Sequence, residues 1–238
     1  MATTNLLYAN SIRLKNGLDI LIPTVGEVVS DEDNYYDILS LLTSMPIDLM
    51  VQLDDMGIDF TEISEYDLFL LIFAAIQNRD TSLFFGDLDL TRFELAVSKQ
   101  NGEVVLIDDK DDIVIDKAIQ WELAGYLRKI HHLEKNTKKP GNNEAKQYMI
   151  ERARIKQKRN RNRKKDSTLE SLIVAMVNTP EFKYDFDDVR DLSIYQFNES
   201  VRQVIKKVDY GNMMHGVYSG TINPKELSQD ALNWLVHK

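Results

Sequence analysis

The chain has 238 residues, of which 43% are hydrophobic and 28% charged, with a formal net charge of −9 and no cysteine. Such a chain can bury a substantial core as one large or two small domains. The missing thiols exclude disulfides, thiolate metal sites and a cysteine nucleophile, and fit a reducing compartment.

In chain order, "SIRLKNGLDILIP" places two Ile/Leu-rich runs around Asn16 and Gly17. An Asn-Gly pair accepts the positive φ angles of a type I′ turn, so a β-hairpin is predicted over about 11–22, ended by Pro23. The next stretch has an acidic start and an apolar rhythm through Tyr36, Leu39, Leu42 and Met45, which is helical spacing, until Pro46 stops it. "PIDLMVQLDDMG" reads as a short amphipathic helix closed by Gly57. "TEISEYDLFLLIFAAIQNR" reads as a buried helix with Thr61 or Ser64 as its N-cap. The period then changes to alternation. "FELAVSKQNGEVVLID" is a second hairpin about Asn101 and Gly102, and "DIVID" a third strand. Asp116 is placed to cap a helix whose buried stripe is Ile119, Leu123, Tyr126, Leu127 and Ile130.

"NTKKPGNNEAKQ" marks a loop and the best domain boundary. Residues 144–165 contain good helix formers but almost no apolar stripe past Ile155, as expected of a helix that bridges or protrudes. Ser167 and Glu170 have capping-box spacing before "LIVAMVN". A further helix is predicted to place Ile194, Phe197, Val201, Val204, Ile205 and Val208 on one face. "GNMMHGVYSGTINP" reads as a glycine-punctuated turn with a short helix. "LSQDALNWLVHK" reads as a closing helix capped by Ser228, docked through Leu232, Trp234 and Leu235.

The charge is unevenly spread. Arg152, Arg154, Lys156, Lys158, Arg159, Arg161, Arg163, Lys164 and Lys165 put nine cations and no acid into fourteen residues, leaving −18 on the remaining 224. Such a strip can neutralise phosphates, face water, or meet an acidic protein surface. No aromatic lies between Tyr148 and Phe182 to stack on unpaired bases, and no helix-turn-helix, zinc-finger or RNP pattern accompanies the strip. Protein contact is therefore favoured over nucleic acid.

Chemical motifs are sparse. Adjacent His131 and His132 point about 100° apart on a helix, which suits the last turn of that helix better than one metal ion. The acidic runs at 87–90, 108–116 and 185–188 lack the glycine and distal glutamate of a calcium loop, and 108–112 reads as a solvated turn. No phosphate-binding glycine loop and no G-x-S-x-G elbow occurs. The reading is non-enzymatic, with no cofactor and no metal. The N-terminus lacks a signal-peptide pattern, and the most apolar run has nine residues, far short of the roughly twenty that cross a bilayer, so a soluble chain with no membrane partner is expected.

The stretches "LDILIPTVGEV" (18–28), "VQLDDMGIDFTEISEYDLFLLI" (51–72), "DTSLFFGDLDLTRFELAVSKQNGEVVL" (80–106) and "MMHGVYSGTINPKELSQDALNWL" (213–235) resemble tail-module proteins of tailed bacteriophages and prophages. The opening hairpin followed by "PTVGE" is similar to that of tail assembly chaperones. The resemblance implies a role in the host cytoplasm: keeping a tape-measure protein soluble while tube subunits assemble, through contacts with tail proteins or with itself. It carries over no chemically active residue, and the basic strip is not part of the pattern. Two alternatives stand beside it: a virion structural component of the tail or connector, and a nucleic-acid-binding accessory using 152–165.

The expected architecture is α+β. Residues 1–137 form an α+β domain with both hairpins, 138–166 a basic linker or helix, and 167–238 a helical domain.

Overall fold

The computed structural model describes residues 5–99, 102–160, 167–229 and 231–235. Strands β1 (Ser11–Arg13) and β2 (Asp19–Leu21) pair antiparallel with Ile12 opposite Ile20. The turn is not type I′. Gly17 N–H donates to the Leu14 carbonyl (3.1 Å), Leu14 N–H donates to the Leu18 carbonyl (2.7 Å), and of the Asn-Gly pair only Gly17 (φ +87°) is left-handed. This is a three-residue loop of type I with a glycine bulge. Asn16 contributes through its side chain, whose Nδ2 donates to the Val114 carbonyl at 2.8 Å and ties the hairpin to a strand 98 residues away.

Strands β3 (Glu94–Val97), β4 (Val104–Asp108) and β5 (Ile113–Ile115) form an antiparallel sheet in that order. Gly102 (φ +72°) turns the second hairpin; Asn101 lies outside the described residues. Residues 109–112 form an exposed turn as expected, but Asp108, the last residue of β4, is buried. Asp108 is 2% exposed and bound by Arg92 at 2.8 Å, because strand pairing carries its side chain to the face that also buries Leu106. With helices making up most of the rest, the fold is α+β.

The helical rhythm of 25–45 divides into α1 (Val25–Ser30) and α2 (Glu32–Thr43), broken at Asp31. Thr24 and Glu27 form a capping box at α1, with Thr24 N–H to Glu27 Oε2 at 2.7 Å and Glu27 N–H to Thr24 Oγ1 at 3.2 Å. Tyr35 rather than Tyr36 joins Ile38, Leu39 and Leu42 on the buried stripe. A 3₁₀ turn at Pro46–Leu49 leads into α3 (Met50–Asp55), and Gly57 (φ +73°) follows it. Then come α4 (Glu65–Ile76), capped by Ser64, α5 (Ser82–Phe85) and α6 (Lys117–His131), capped by Asp116. Ile119, Leu123, Leu127 and Ile130 of α6 are buried, with Tyr126 packed beside them.

The later helices are α7 (Asn143–Asn160), α8 (Thr168–Val177), α9 (Phe186–Asp191) and α10 (Ile194–Tyr218). Ser167 Oγ accepts from Glu170 N–H (2.8 Å) at the start of α8. The carboxylate at this cap comes from Glu32 of α2, which accepts from Leu169 N–H (3.1 Å) and from the Ser167 hydroxyl.

One apolar cluster runs from Leu6 through both hairpins and α1, α2, α4, α6 and α8 to Phe197 and Val201 of α10. Tyr35 stacks on Phe84 at 4.6 Å near its centre. An early and a late segment of the chain pair beside this cluster. Val25 N–H donates to the Leu192 carbonyl and Ile194 N–H to the Pro23 carbonyl, both at 2.8 Å, while Gln196 Nε2 donates to the Leu7 carbonyl at 2.8 Å. A methyl group on Gly26 would come within 2.6 Å of Arg190 Cγ and 3.1 Å of the Arg190 carbonyl, so glycine lets α1 cross closely over α9.

At the end of α6, His131 does not serve the helix dipole as a cation. Burial, with the neighbouring His132 charge, pushes it down to about 3, and its Nε2 lies 2.9 Å from the Tyr35 hydroxyl. The unfolded imidazole titrates near 6.5, so protons bind the unfolded chain preferentially between that value and about 3. Stability from this group is complete above pH ~6.5 and falls by at most about 1.4 kcal/mol per unit as pH drops below it. Urea titrations at pH 7.5, 6.5 and 5.5 should show that slope. His131→Gln should flatten it; an equal slope in the variant would assign the loss to other groups.

Candidate protein-docking surfaces

Helix α7 is not simply solvated along its length. Ile150 (4% exposed) and Met149 pack into a second, smaller apolar cluster with Ile47, Leu53, Phe60 and Leu68. Two cations hold it there. Lys146 Nζ sits 2.6 Å from Asp59, and its ammonium, with the Thr61 hydrogen bonds, brings that carboxyl down to about 2. Arg154 bridges Asp54 and Asp55 of α3, each at 2.6 Å. Arg154 thus belongs to the helix's own mooring.

Beyond this, α7 and α3 enclose a shallow groove of about 650 Å³. Met50 and Met149 line its base, Tyr148 and Ile155 stand exposed at its side, and Arg152, Lys156 and Arg159 form a cationic rim. Arg152 lies over the Tyr148 ring, 5.7 Å from its centroid. Lys158 is also exposed on α7; Arg161, Arg163, Lys164 and Lys165 lie outside the described residues. The structure thus brings Arg152, Lys156 and Arg159 together. Sequence reasoning missed that the cations share their face with Tyr148 and Ile155. The signal was the spacing 148, 152, 155, 159, which is one helical face.

A second surface is the distal half of α10. The predicted turn at "GNMMHGVYSG" is instead helix, and the 25-residue α10 runs through Gly211 and Gly216. It stops at Gly220 (φ +75°), where Gly220 N–H bonds to the Val217 carbonyl and Thr221 N–H to that of Gly216. That is a Schellman ending. Only the first half of the apolar stripe is buried. Ile194, Phe197 and Val201 pack in the core, whereas Ile205 (53% exposed), Val208 and Tyr218 do not. The predicted closing helix is also absent among the described residues. Ser228 Oγ accepts from Ala231 N–H (3.2 Å) and makes one turn, but the Asn233 side chain takes the Leu235 N–H and Gln203 takes the Trp234 carbonyl. Local side-chain bonding of this kind competes with a helix. Leu232, Trp234 and Leu235 remain about half exposed.

Among the described residues, no group of three or more His, Asp or Glu could hold a metal ion, and no helix is long and apolar enough to cross a membrane. No curated protein and no solved structure matches the chain. Residues 158–237, from the end of α7 through α10 and the tail, are similar to the YomV second domain, a phage/prophage-type protein family.

Proposed function

We propose that this protein is a non-enzymatic phage morphogenesis factor, similar to tail assembly chaperones, that acts by holding a tail protein. The observation that carries this reading is the distal half of α10. Ile205 and Val208, one turn apart, continue the core stripe into solvent, with Tyr218 beyond them and the apolar tail residues nearby. An open apolar helix face is the surface that receives an amphipathic helix from a partner. The phage-type likeness covers this same helix and tail.

The test is a pull-down of tagged protein from cells producing the phage, with nuclease treatment and with proteins and nucleic acids both read out. The expected eluate contains a tape-measure or tube protein. The paired change Ile205→Glu and Val208→Glu should remove that protein while leaving the circular dichroism spectrum intact, because neither side chain is in the core. An eluate of nucleic acid without tail protein, or retention of the tail protein by the variant, would overturn the reading.

A further inference from the structure

The cationic groove between α3 and α7 has a counterpart on the other side of the sequence. At the start of α9, Tyr184 and Phe186 are 41% and 55% exposed, and Asp185, Asp187, Asp188 and Asp191 lie exposed around them, outnumbering the exposed cations Lys183 and Arg190 of the same segment. Val189 (1% exposed) and the close crossing at Gly26 hold this segment in shape, and Phe182 packs edge-on against Tyr184 at 5.3 Å. It is therefore a preformed acidic-aromatic knob.

The groove offers the complementary set. Met50 and Met149 are adaptable apolar side chains suited to receiving an aromatic ring. Tyr148 and Ile155 extend that apolar floor, and Arg152, Lys156 and Arg159 meet four aspartates. We infer that the groove of one copy takes the 184–191 knob of a second copy. The occupant is this chain itself because the knob matches the groove in both respects at once, with exposed aromatics for its floor and carboxylates for its rim. A nucleic acid would satisfy the rim and leave Met50 and Met149 unused.

The contact joins two different surfaces, so each copy retains one open groove and one open knob. Association of that kind is heterologous and continues into rings or open chains rather than ending at a twofold dimer. It does not depend on what the distal half of α10 holds.

The test uses charge reversal on the full chain. Lys156→Glu with Arg159→Glu reverses the groove rim, and neither residue moors α7. Asp187→Lys with Asp191→Lys reverses the knob and spares Asp185 and Asp188, which form the α9 capping box. In sedimentation velocity at 50 mM salt, after nuclease treatment, the wild type should form oligomers larger than dimers. Raising salt to 500 mM or introducing either double variant should shift association to concentrations at least about tenfold higher. An equimolar mixture of the two variants should restore oligomers, because each reversed surface then meets its opposite. A monomeric wild type, oligomers lost on nuclease treatment, or a mixture no better than its components would each overturn the inference.

Discussion

Arg128→Ala is expected to lower unfolding stability by about 3–5 kcal/mol, the cost typical of removing one partner from a buried ion pair. Arg128 comes from the last turn of α6 and is only 8% exposed. Its guanidinium donates to Glu65 Oε1 and to the Thr43 carbonyl, both at 2.7 Å. One side chain thus satisfies the last turn of α2 and the first turn of α4. Burial by itself would raise the Glu65 carboxyl, but hydrogen bonds from Lys135 and Arg128 outweigh it and hold the group below its ordinary value. Truncation leaves a largely buried carboxylate with Lys135 as its remaining cation, together with an orphaned helix carbonyl. The measurement is the urea midpoint at pH 7.5, where Glu65 is ionised. Changing Glu65→Gln in the same chain should recover part of the loss, since the carboxylate that kept only Lys135 is then neutral. A loss under about 1 kcal/mol would mean that Lys135 alone supports Glu65 and that Thr43 finds another donor.

Phe197→Ala should cost a similar amount, about 3–5 kcal/mol, through lost burial and the cavity left behind. The ring is fully buried and meets Phe182 edge-on at 6.2 Å. Its more informative effect is where the loss registers. Phe197 lies in the same apolar cluster as Leu6, Ile20 and Leu123. Fluorescence of Trp121, on the opposite side of α6 from that stripe, should therefore report the same lowered midpoint as far-UV circular dichroism. Trp234→Phe removes the other indole so that Trp121 alone is read. Separate midpoints, with Trp121 unaffected, would show that α10 unfolds without the rest.

The elements legible in the sequence were those whose signals are local. Ser64 and Asp116 cap α4 and α6 because a side chain three residues from a backbone N–H needs no tertiary help. The second hairpin followed alternation. The failures share a cause in distant partners. Asn16 suggested a two-residue turn, but its amide is engaged by Val114, and a three-residue loop presents it there. Glycines inside α10 suggested a turn, yet Gly216 is where Ile222 folds back, within 2.5 Å of where a Cβ would stand. The docking surfaces were half legible. The cations of α7 stood out by composition, but their apolar floor needs Met50 from α3, and the assignment of Arg154 to mooring needs Asp54 and Asp55. The α9 knob was visible only as an acidic run, since the exposure of Tyr184 and Phe186 is decided by packing.

The pairing of residues 23–25 with 192–194 has a consequence for synthesis on the ribosome. Pro23, Thr24 and Val25 emerge early, yet their backbone partners Leu192, Ser193 and Ile194 are made about 170 residues later. At roughly 5–20 residues per second, the nascent chain spends on the order of 10–30 s with the first hairpin and α1 formed at best provisionally. During that interval the surface of α1 later covered by α9 and α10 is open to other chains on the same polysome.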